Sequence, residues 1–299
     1  MNKEYEFLKS LLIKQYGQDL ANNICDGFVK KRVTSFRINT LKATKEEVLS
    51  YLSDRNICVK EVSFSDIAYI VLNGDEQTLM ELDLFKEGKI YLQSLSSMLP
   101  PIVLEPKENK DILDMAAAPG GKTTQIAALT NNKARITACE LNKIRCERLE
   151  YNVKKQGATQ VLVMNVDARK LDDFFTFDQI LLDAPCSGSG THTMHDREPF
   201  KGFSQMLIDK CTKSQETLLK KALKALKKGE TMVYSTCSIL DVENCAIVKK
   251  CINSNYEIVP FEINDENLVK LPTRIPNTLC VCPNEFYEGF YIAKIKRVK

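Results

Sequence analysis

Two cysteines of this chain stand where a thiol is better suited to chemistry than to packing. Cys186 follows an apolar run, Phe177 to Asp183, in the string Asp183-Ala184-Pro185-Cys186-Ser187-Gly188-Ser189-Gly190. Cys237 follows a second run, Glu230 to Ser235, in Thr236-Cys237-Ser238. An isolated cysteine is ordinarily a small buried hydrophobe. These two each come after a strand-like run, sit among small polar residues and fall on no apolar periodic face. A thiolate is a strong nucleophile once its pKa is lowered. A third string, Asp111 to Thr124, reads as a buried strand (Ile112, Leu113), an acid (Asp114), a small-residue turn (Ala116-Ala117-Ala118-Pro119-Gly120-Gly121-Lys122) and the start of a helix at Thr123. Pro119 fixes φ, and the two glycines let the backbone turn tightly and approach a ligand. Such a unit places free N–H groups and the positive end of a helix dipole at the sheet's carboxyl edge, where open α/β sheets bind ligands.

The turn alone admits three readings. Gly121-Lys122-Thr123 fits a relaxed phosphate-binding loop, with Gln179 to Asp183 as the acidic strand that holds Mg²⁺. Against this, position 116 is Ala rather than Gly, and Pro119 lacks an N–H for a phosphate. The second reading is an S-adenosylmethionine turn, which needs an acid at the end of the next strand for the ribose hydroxyls. Arg135 to Glu140 supplies it in Glu140. The third is a structural turn with no ligand. Four strand-like runs end in polar residues: Glu140, Asp167, Asp183 with Cys186, and Cys237. In a wound sheet these ends converge on one crevice, although Asp167 alone could be no more than a helix N-cap.

These residues need a scaffold, and the periodicities supply one. From residue 111 onward strands alternate with helices: 111–115, 135–140, 160–166, 177–183 and 230–235, with helices at 122–129, 143–156, about 204–227 and 242–251, then strands near 256–260 and 290–296. That alternation predicts a doubly wound, mainly parallel sheet. Before it, residues 1–29 read as two helices broken at Gly17. Runs at 33–39, 57–62, 69–72 and 89–92, with a helix opened by the capping box Thr44-Lys45-Glu46-Glu47 and a short one near 79–84, form a small α+β block. Pro100-Pro101 and Pro106 to Lys110 read as the link between the units. We therefore expect an α+β N-terminal domain over 1–105 and a catalytic domain over 106–299.

The 299 residues carry a net charge of +3, which permits nucleic-acid binding without requiring it. The 11 cysteines form no C-x-x-C pair, Cys280-Val281-Cys282 is too tight for the common zinc spacing, and there are two histidines, so no metal site is expected. With no signal peptide and no long apolar run, we expect a cytoplasmic protein with reduced thiols, no membrane association and no obligate protein partner.

Taken together and in order, the strings Asp114 to Thr123, Asp183 to Gly190, and Tyr234-Ser235-Thr236-Cys237-Ser238 with Glu243-Asn244 resemble the Sun/Fmu (RsmB/Nop) family of RNA cytosine-C5 methyltransferases. Phe36-Arg37-Ile38-Asn39-Thr40-Leu41-Lys42 resembles the family's N-terminal signature, and Gln93 to Pro100 its linker. The family usually has Cys at 116 and Gly at 230, where this chain has Ala116 and Glu230. The resemblance implies a Rossmann-like class I methyltransferase sheet and S-adenosylmethionine held by Ala116, Ala117, Ala118, Pro119, Gly120, Gly121, Lys122, Glu140, Arg145, Asp167 and Asp183. It implies Cys237 as the nucleophile toward cytosine C6, Cys186 as the thiol for product release, Asp183 on the cytosine N3/N4 edge and Lys122 beside the base. DNA cytosine methyltransferases use a Pro-Cys nucleophile instead, so the order of the two thiols comes from the resemblance. The substrate would be RNA, ribosomal or transfer, presented as an unstacked base. A basic patch of Lys30, Lys31, Arg32, Arg37 and Lys42 is expected on phosphates, and His192 and His195 in a substrate loop. A P-loop-like ATP-binding protein and a non-catalytic RNA-binding relative are the competing functions. The N-terminal block and the catalytic surface are expected to choose the target.

Overall fold

The computed structural model describes residues 3–299, so the first two residues of the expected 1–29 helical stretch lie outside it. In chain order the elements are α1 (Lys3–Tyr16), α2 (Gln18–Val29), β1 (Ser35–Ile38), α3 (Lys45–Ser53), β2 (Val59–Val62), β3 (Ser65–Val71), α4 (Glu76–Met80), α5 (Asp83–Lys86), β4 (Ile90–Leu92) and α6 (Leu95–Leu104). The larger unit continues with β5 (Asp111–Asp114), α7 (Gly121–Leu129), β6 (Arg135–Cys139), α8 (Lys143–Lys155), β7 (Val161–Met164), β8 (Phe177–Asp183), α9 (Gln205–Ala225), β9 (Leu226–Thr236), α10 (Cys245–Cys251), β10 (Tyr256–Ile258), β11 (Lys270–Leu271), β12 (Leu279–Val281) and β13 (Phe290–Arg297). Helix starts follow side-chain capping: the Thr44, Ser94, Asn142 and Ser204 side chains each accept a backbone N–H of the first turn. Gly157, at φ +70°, lies just past α8, as its position after the apolar periodicity predicts.

The large sheet runs β11-β12-β13-β9-β8-β5-β6-β7, with β10 on β13. Strands β5 to β9 are mutually parallel. The chain steps from β5 outward to β6 and β7, then returns to β8 on the other side of β5. The switch point, and hence the crevice, therefore lies between the ends of β5 and β8. β13 closes the other side antiparallel to β9. β11 and β12, of two and three residues, are additions to the expected strand set, too short to show alternation. One face of the sheet is covered by α1, α2, α9 and α10, the other by α6, α7 and α8.

The small sheet, β2-β3-β1-β4, is antiparallel. Its Phe36, Ile38, Tyr69, Val71 and Ile90 pack on α3, α4 and α5. Its other face, through Val62, Ala68 and Ile70, packs into the same core as α6 and α7. One expectation changes here. Pro100-Pro101 is not a link but the middle of α6, fully buried. Pro101 cannot donate to Ser97 O, and the side chain of Gln93 does so instead at 3.0 Å. Leu8, Leu12, Ile24 and Phe28 of α1 and α2 share one core with β5, β8 and α9.

Candidate functional site

The β5–α7 turn is built on its neighbours' backbones. Met115 N donates to Leu181 O, Ala117 N to Cys139 O, and Gly120 N to Ala117 O. Gly120 sits at φ +104°, in the left-handed region, and a Cβ there would come within 2.9 Å of Leu149 Cδ1. A Cβ on Gly121 would meet the Tyr91 ring at 3.0 Å. The glycines thus allow close approach to the protein's own Leu149 and Tyr91. Asp114, fully buried, accepts from Thr123 Oγ1 at 2.7 Å. Burial raises its carboxyl to about 6, with Asp183 adding to the rise and Thr123 opposing it.

Lys122 bends away from the turn. Its Nζ lies 2.8 Å from Asp183 Oδ2 and 2.7 Å from Ser97 Oγ. Burial pulls its pKa down, but the negative charge and hydrogen bond of Asp183, with Asp114 behind, outweigh that and leave it raised. Lys122 is therefore a cation clamped to a carboxylate. The other oxygen of Asp183 accepts from Ser235 Oγ at 2.8 Å, so the carboxylate is fixed at both ends. Lys122 is thereby directed to Asp183 and Ser97, and nothing in this geometry favours the P-loop reading.

The two cysteine loops lie side by side because β8 and β9 are neighbours. Ala184 N donates to Ser235 O, and Gly190 N to Cys237 O. The Cys186 and Cys237 sulfurs are 2.7 Å apart, and both are free thiols. Cys186 is held well above the ordinary thiol range, first by its hydrogen bond to Cys237, then by burial, with the charge of Glu243 adding.

Two cavities open at this edge. One, about 620 Å³, is bounded by Ala116, Ala118, Glu140, Arg145, Asp167 and Cys186, with apolar Val166 and Leu218. The other, about 770 Å³, lies between the two sheets and is bounded by Arg32, Tyr91, Gln93, Lys122, Glu288 and Phe290. Ala116, Ala118, Asp183 and Cys237 belong to both, while Cys186 borders the first alone. Glu140 is buried and accepts from Asn142 N at 2.8 Å. Arg145 donates to Ala118 O at 2.8 Å and lies 3.5 Å from Glu140, which binds its helix to the turn. Asp167 caps a 3-10 turn, accepting from Arg169 N, and pairs with the Arg169 side chain at 2.8 Å while still facing the cavity. Ala117, Pro119, Gly121 and Lys122 border the larger cavity, and Gly120 borders neither.

The basic patch is not one surface. Arg37 is fully buried and donates to Gln93 Oε1, Gly121 O and Thr124 Oγ1. Arg32 reaches Thr191 O at 2.9 Å, and Lys42 donates to Glu87 O. Lys30 and Lys31 remain exposed. His192 packs against Phe200 and Phe203, and His195 contacts Val29 O at 2.7 Å, so both brace the loop after Cys186. Glu243 is the residue that sequence reasoning passed over. It lies fully buried between the cysteine loops, and its only trace in the sequence is its place in Glu243-Asn244.

The parallel strands, their reversal between β5 and β8 and the acid-bordered cavity at their carboxyl edge make this a Rossmann-like class I methyltransferase fold. Two solved structures share it over nearly the whole chain. NSun6 from Pyrococcus horikoshii, solved with SFG, superposes with a TM-score of 0.85 at 25% identity, over 100% of this chain and 98% of that one. A methyltransferase homolog protein from Pyrococcus horikoshii gives 0.83 at 29% identity, over 97% and 99%. The chain belongs to the family described as 16S rRNA methyltransferase RsmB/F, whose model matches residues 101–296. It is 33% identical over 282 residues to the ribosomal RNA small subunit methyltransferase F of Shewanella denitrificans, covering 88% of this chain and 54% of that protein. The chain spans about half the length of the curated relatives it matches.

Proposed function

We propose that the protein transfers a methyl group from S-adenosylmethionine to C5 of a cytosine in RNA, ribosomal or transfer, through a covalent bond between Cys237 and cytosine C6. The observation that carries this reading is the shared wall: Cys237 and Asp183 border both cavities, so a donor in one and a base in the other would meet at them. The smaller cavity fits the donor. The Glu140 and Asp167 carboxylates accept from hydroxyl and amino groups, Ala116 and Ala118 leave room, and Val166 and Leu218 offer apolar surface. When bound, the sulfonium supplies an electrophilic methyl group.

The chain's own residues do the rest. Cytosine C5 is a poor nucleophile until the Cys237 thiolate adds to C6, which makes the ring enamine-like. Asp183, held by Lys122 and Ser235, would take the N3/N4 edge and favour charge at N3. C5 takes the methyl group, and the electron pair of the broken S–CH₃ bond stays on the donor sulfur. The C5 proton then passes to solvent water, and the electron pair of that C–H bond re-forms the C5–C6 double bond as the C6–S bond breaks and its electron pair returns to the Cys237 sulfur, with Cys186 assisting that release. Residues 1–105 would bind RNA and 106–299 carry the chemistry. Tyr91 and Gln93, from the first of these segments, line the larger cavity in support of that division.

The two thiols are separable by experiment. Cys237→Ser should abolish turnover and the covalent adduct, because a hydroxyl is a far weaker nucleophile at neutral pH. Cys186→Ala should still add to the ring and accumulate a slow-migrating protein–RNA band on a denaturing gel. The reverse pattern would give the nucleophile role to Cys186, and no adduct from either variant, with wild type active, would end the thiol-addition reading.

A further inference from the structure

Glu243 is fully buried, and among the described residues no lysine, arginine or histidine pairs with it. Its carboxylate is held instead by uncharged donors from three directions: Ser187 N at 2.8 Å and Ser187 Oγ at 2.5 Å, Ser238 Oγ at 2.6 Å, and Gln215 Nε2 at 3.4 Å. Its backbone oxygen accepts from Tyr234 Oη at 2.7 Å. Ser187 immediately follows Cys186, and Ser238 immediately follows Cys237. The same carboxylate therefore grips the residue after each thiol. Ser189 Oγ, 2.8 Å from Ser238 Oγ, adds a second strut between the loops. A buried carboxylate without a cation is a poor device for stability, and apolar packing of the same volume would serve that purpose better. Its use here is geometric and electrostatic.

We propose that Glu243 is a positioning residue for the thiol pair: it ties the Cys186 loop to the Cys237 loop and so holds Cys186 beside Cys237 while Cys237 faces the larger cavity. The inference rests on the reading of Cys237 as nucleophile. A nearby uncompensated negative charge opposes ionisation of Cys186, and removing it should make Cys186 easier to ionise.

The test uses the full chain with Glu243→Gln, which keeps shape and loses the charge. We expect kcat for RNA methylation to fall at least tenfold, with KM for RNA and affinity for S-adenosylhomocysteine within about twofold. A residue that merely held the fold would leave the ionisation of Cys186 unmoved, so the pH dependence of iodoacetamide alkylation of Cys186 is measured in a Cys237→Ala background. Its midpoint should move down by about one unit when Glu243→Gln is added. If Glu243→Gln does not fold, Ser187→Ala and Ser238→Ala each remove a donor and leave the charge; kcat should fall in both while the midpoint does not move down. Unchanged kcat, or an unchanged midpoint in Glu243→Gln, overturns the proposal. Wild-type protein that does not methylate cytosine would overturn the functional reading instead, and the alkylation midpoints would still decide the placement of Glu243 on the thiol pair.

Discussion

Arg37 and Glu243 are both fully buried, and among the described residues neither has an ion-pair partner, yet the protein treats them differently. Glu243 lies within one unit and both its oxygens are occupied. Arg37 lies at the seam between the two sheets, where its Nε and Nη2 bond Gln93, Gly121 O and Thr124 Oγ1 while Nη1 is buried with no hydrogen-bond partner. The Tyr91 ring, 5.0 Å from the guanidinium carbon, gives a partial electrostatic substitute. Burial lowers the Arg37 pKa to about 10, so it stays charged at neutral pH. A saturated anion fixes side chains around a reaction centre. A cation with one idle nitrogen fixes the backbone of the β5–α7 turn against a separate sheet, where its reach matters more than full pairing.

The comparison breaks most sharply at Arg37. Arg37→Ala leaves two buried acceptors, Gln93 Oε1 and Thr124 Oγ1, without their donor, while Gly121 O keeps Thr124 Oγ1; at about 1–3 kcal/mol each, urea denaturation should show a loss of about 2 kcal/mol or more. Arg37→Lys should not restore it, because a single ammonium cannot span the three acceptors. Stability equal to wild type in Arg37→Ala would mean that the seam is held elsewhere.

Asp114 is a third buried charge, intermediate because it has Lys122 nearby. Its folded-state pKa of about 6 lies above its ordinary 3.8, so the folded protein binds this proton more tightly than the unfolded chain. Stability from the protonated form is fully present below about pH 4 and is lost as pH rises through 6, by about 3 kcal/mol. The stability difference between wild type and Asp114→Asn should therefore shift against wild type by that amount between pH 4 and pH 7. A pH-independent difference would show that Asp114 titrates normally.

At the smaller cavity, Glu140→Ala should weaken S-adenosylmethionine binding by about 1.5–3 kcal/mol, roughly 10- to 100-fold in Kd by calorimetry. Unchanged binding would place the ligand elsewhere. The smallest effect is at the surface. Lys30→Ala with Lys31→Ala should reduce the salt slope of RNA binding by about 1.4 if both lysines face phosphates of a single strand, and an identical slope removes them from the interface.

What was legible in the sequence was local. The β5–α7 turn, the acid after β6 and both cysteine loops are contiguous strings, and parallel strand order brings their ends together. Arg37 was misread because a count of basic residues ignores alternation. Phe36 and Ile38 face the α3–α5 core, so Arg37 must face the other way, into a seam that only the tertiary structure reveals. Glu243 sits in a 3-10 turn without periodicity, and two of its partners, Gln215 and Ser187, are 28 and 56 residues distant. Pro100-Pro101 misled for the opposite reason. A local helix-breaking signal was overruled by burial and by the borrowed donor of Gln93.

The bonds from Arg37 to Gly121 O and Thr124 Oγ1 also limit how this chain can be recombined. A chimera that exchanges residues 35–92 with those of a relative transplants a donor whose acceptors lie in α7. The exchange retains these bonds only if the incoming strand offers an arginine at the register of Arg37, against Gln93, which the exchange leaves in place. The small sheet and the β5–α7 turn are in this respect a single heritable unit rather than two interchangeable modules.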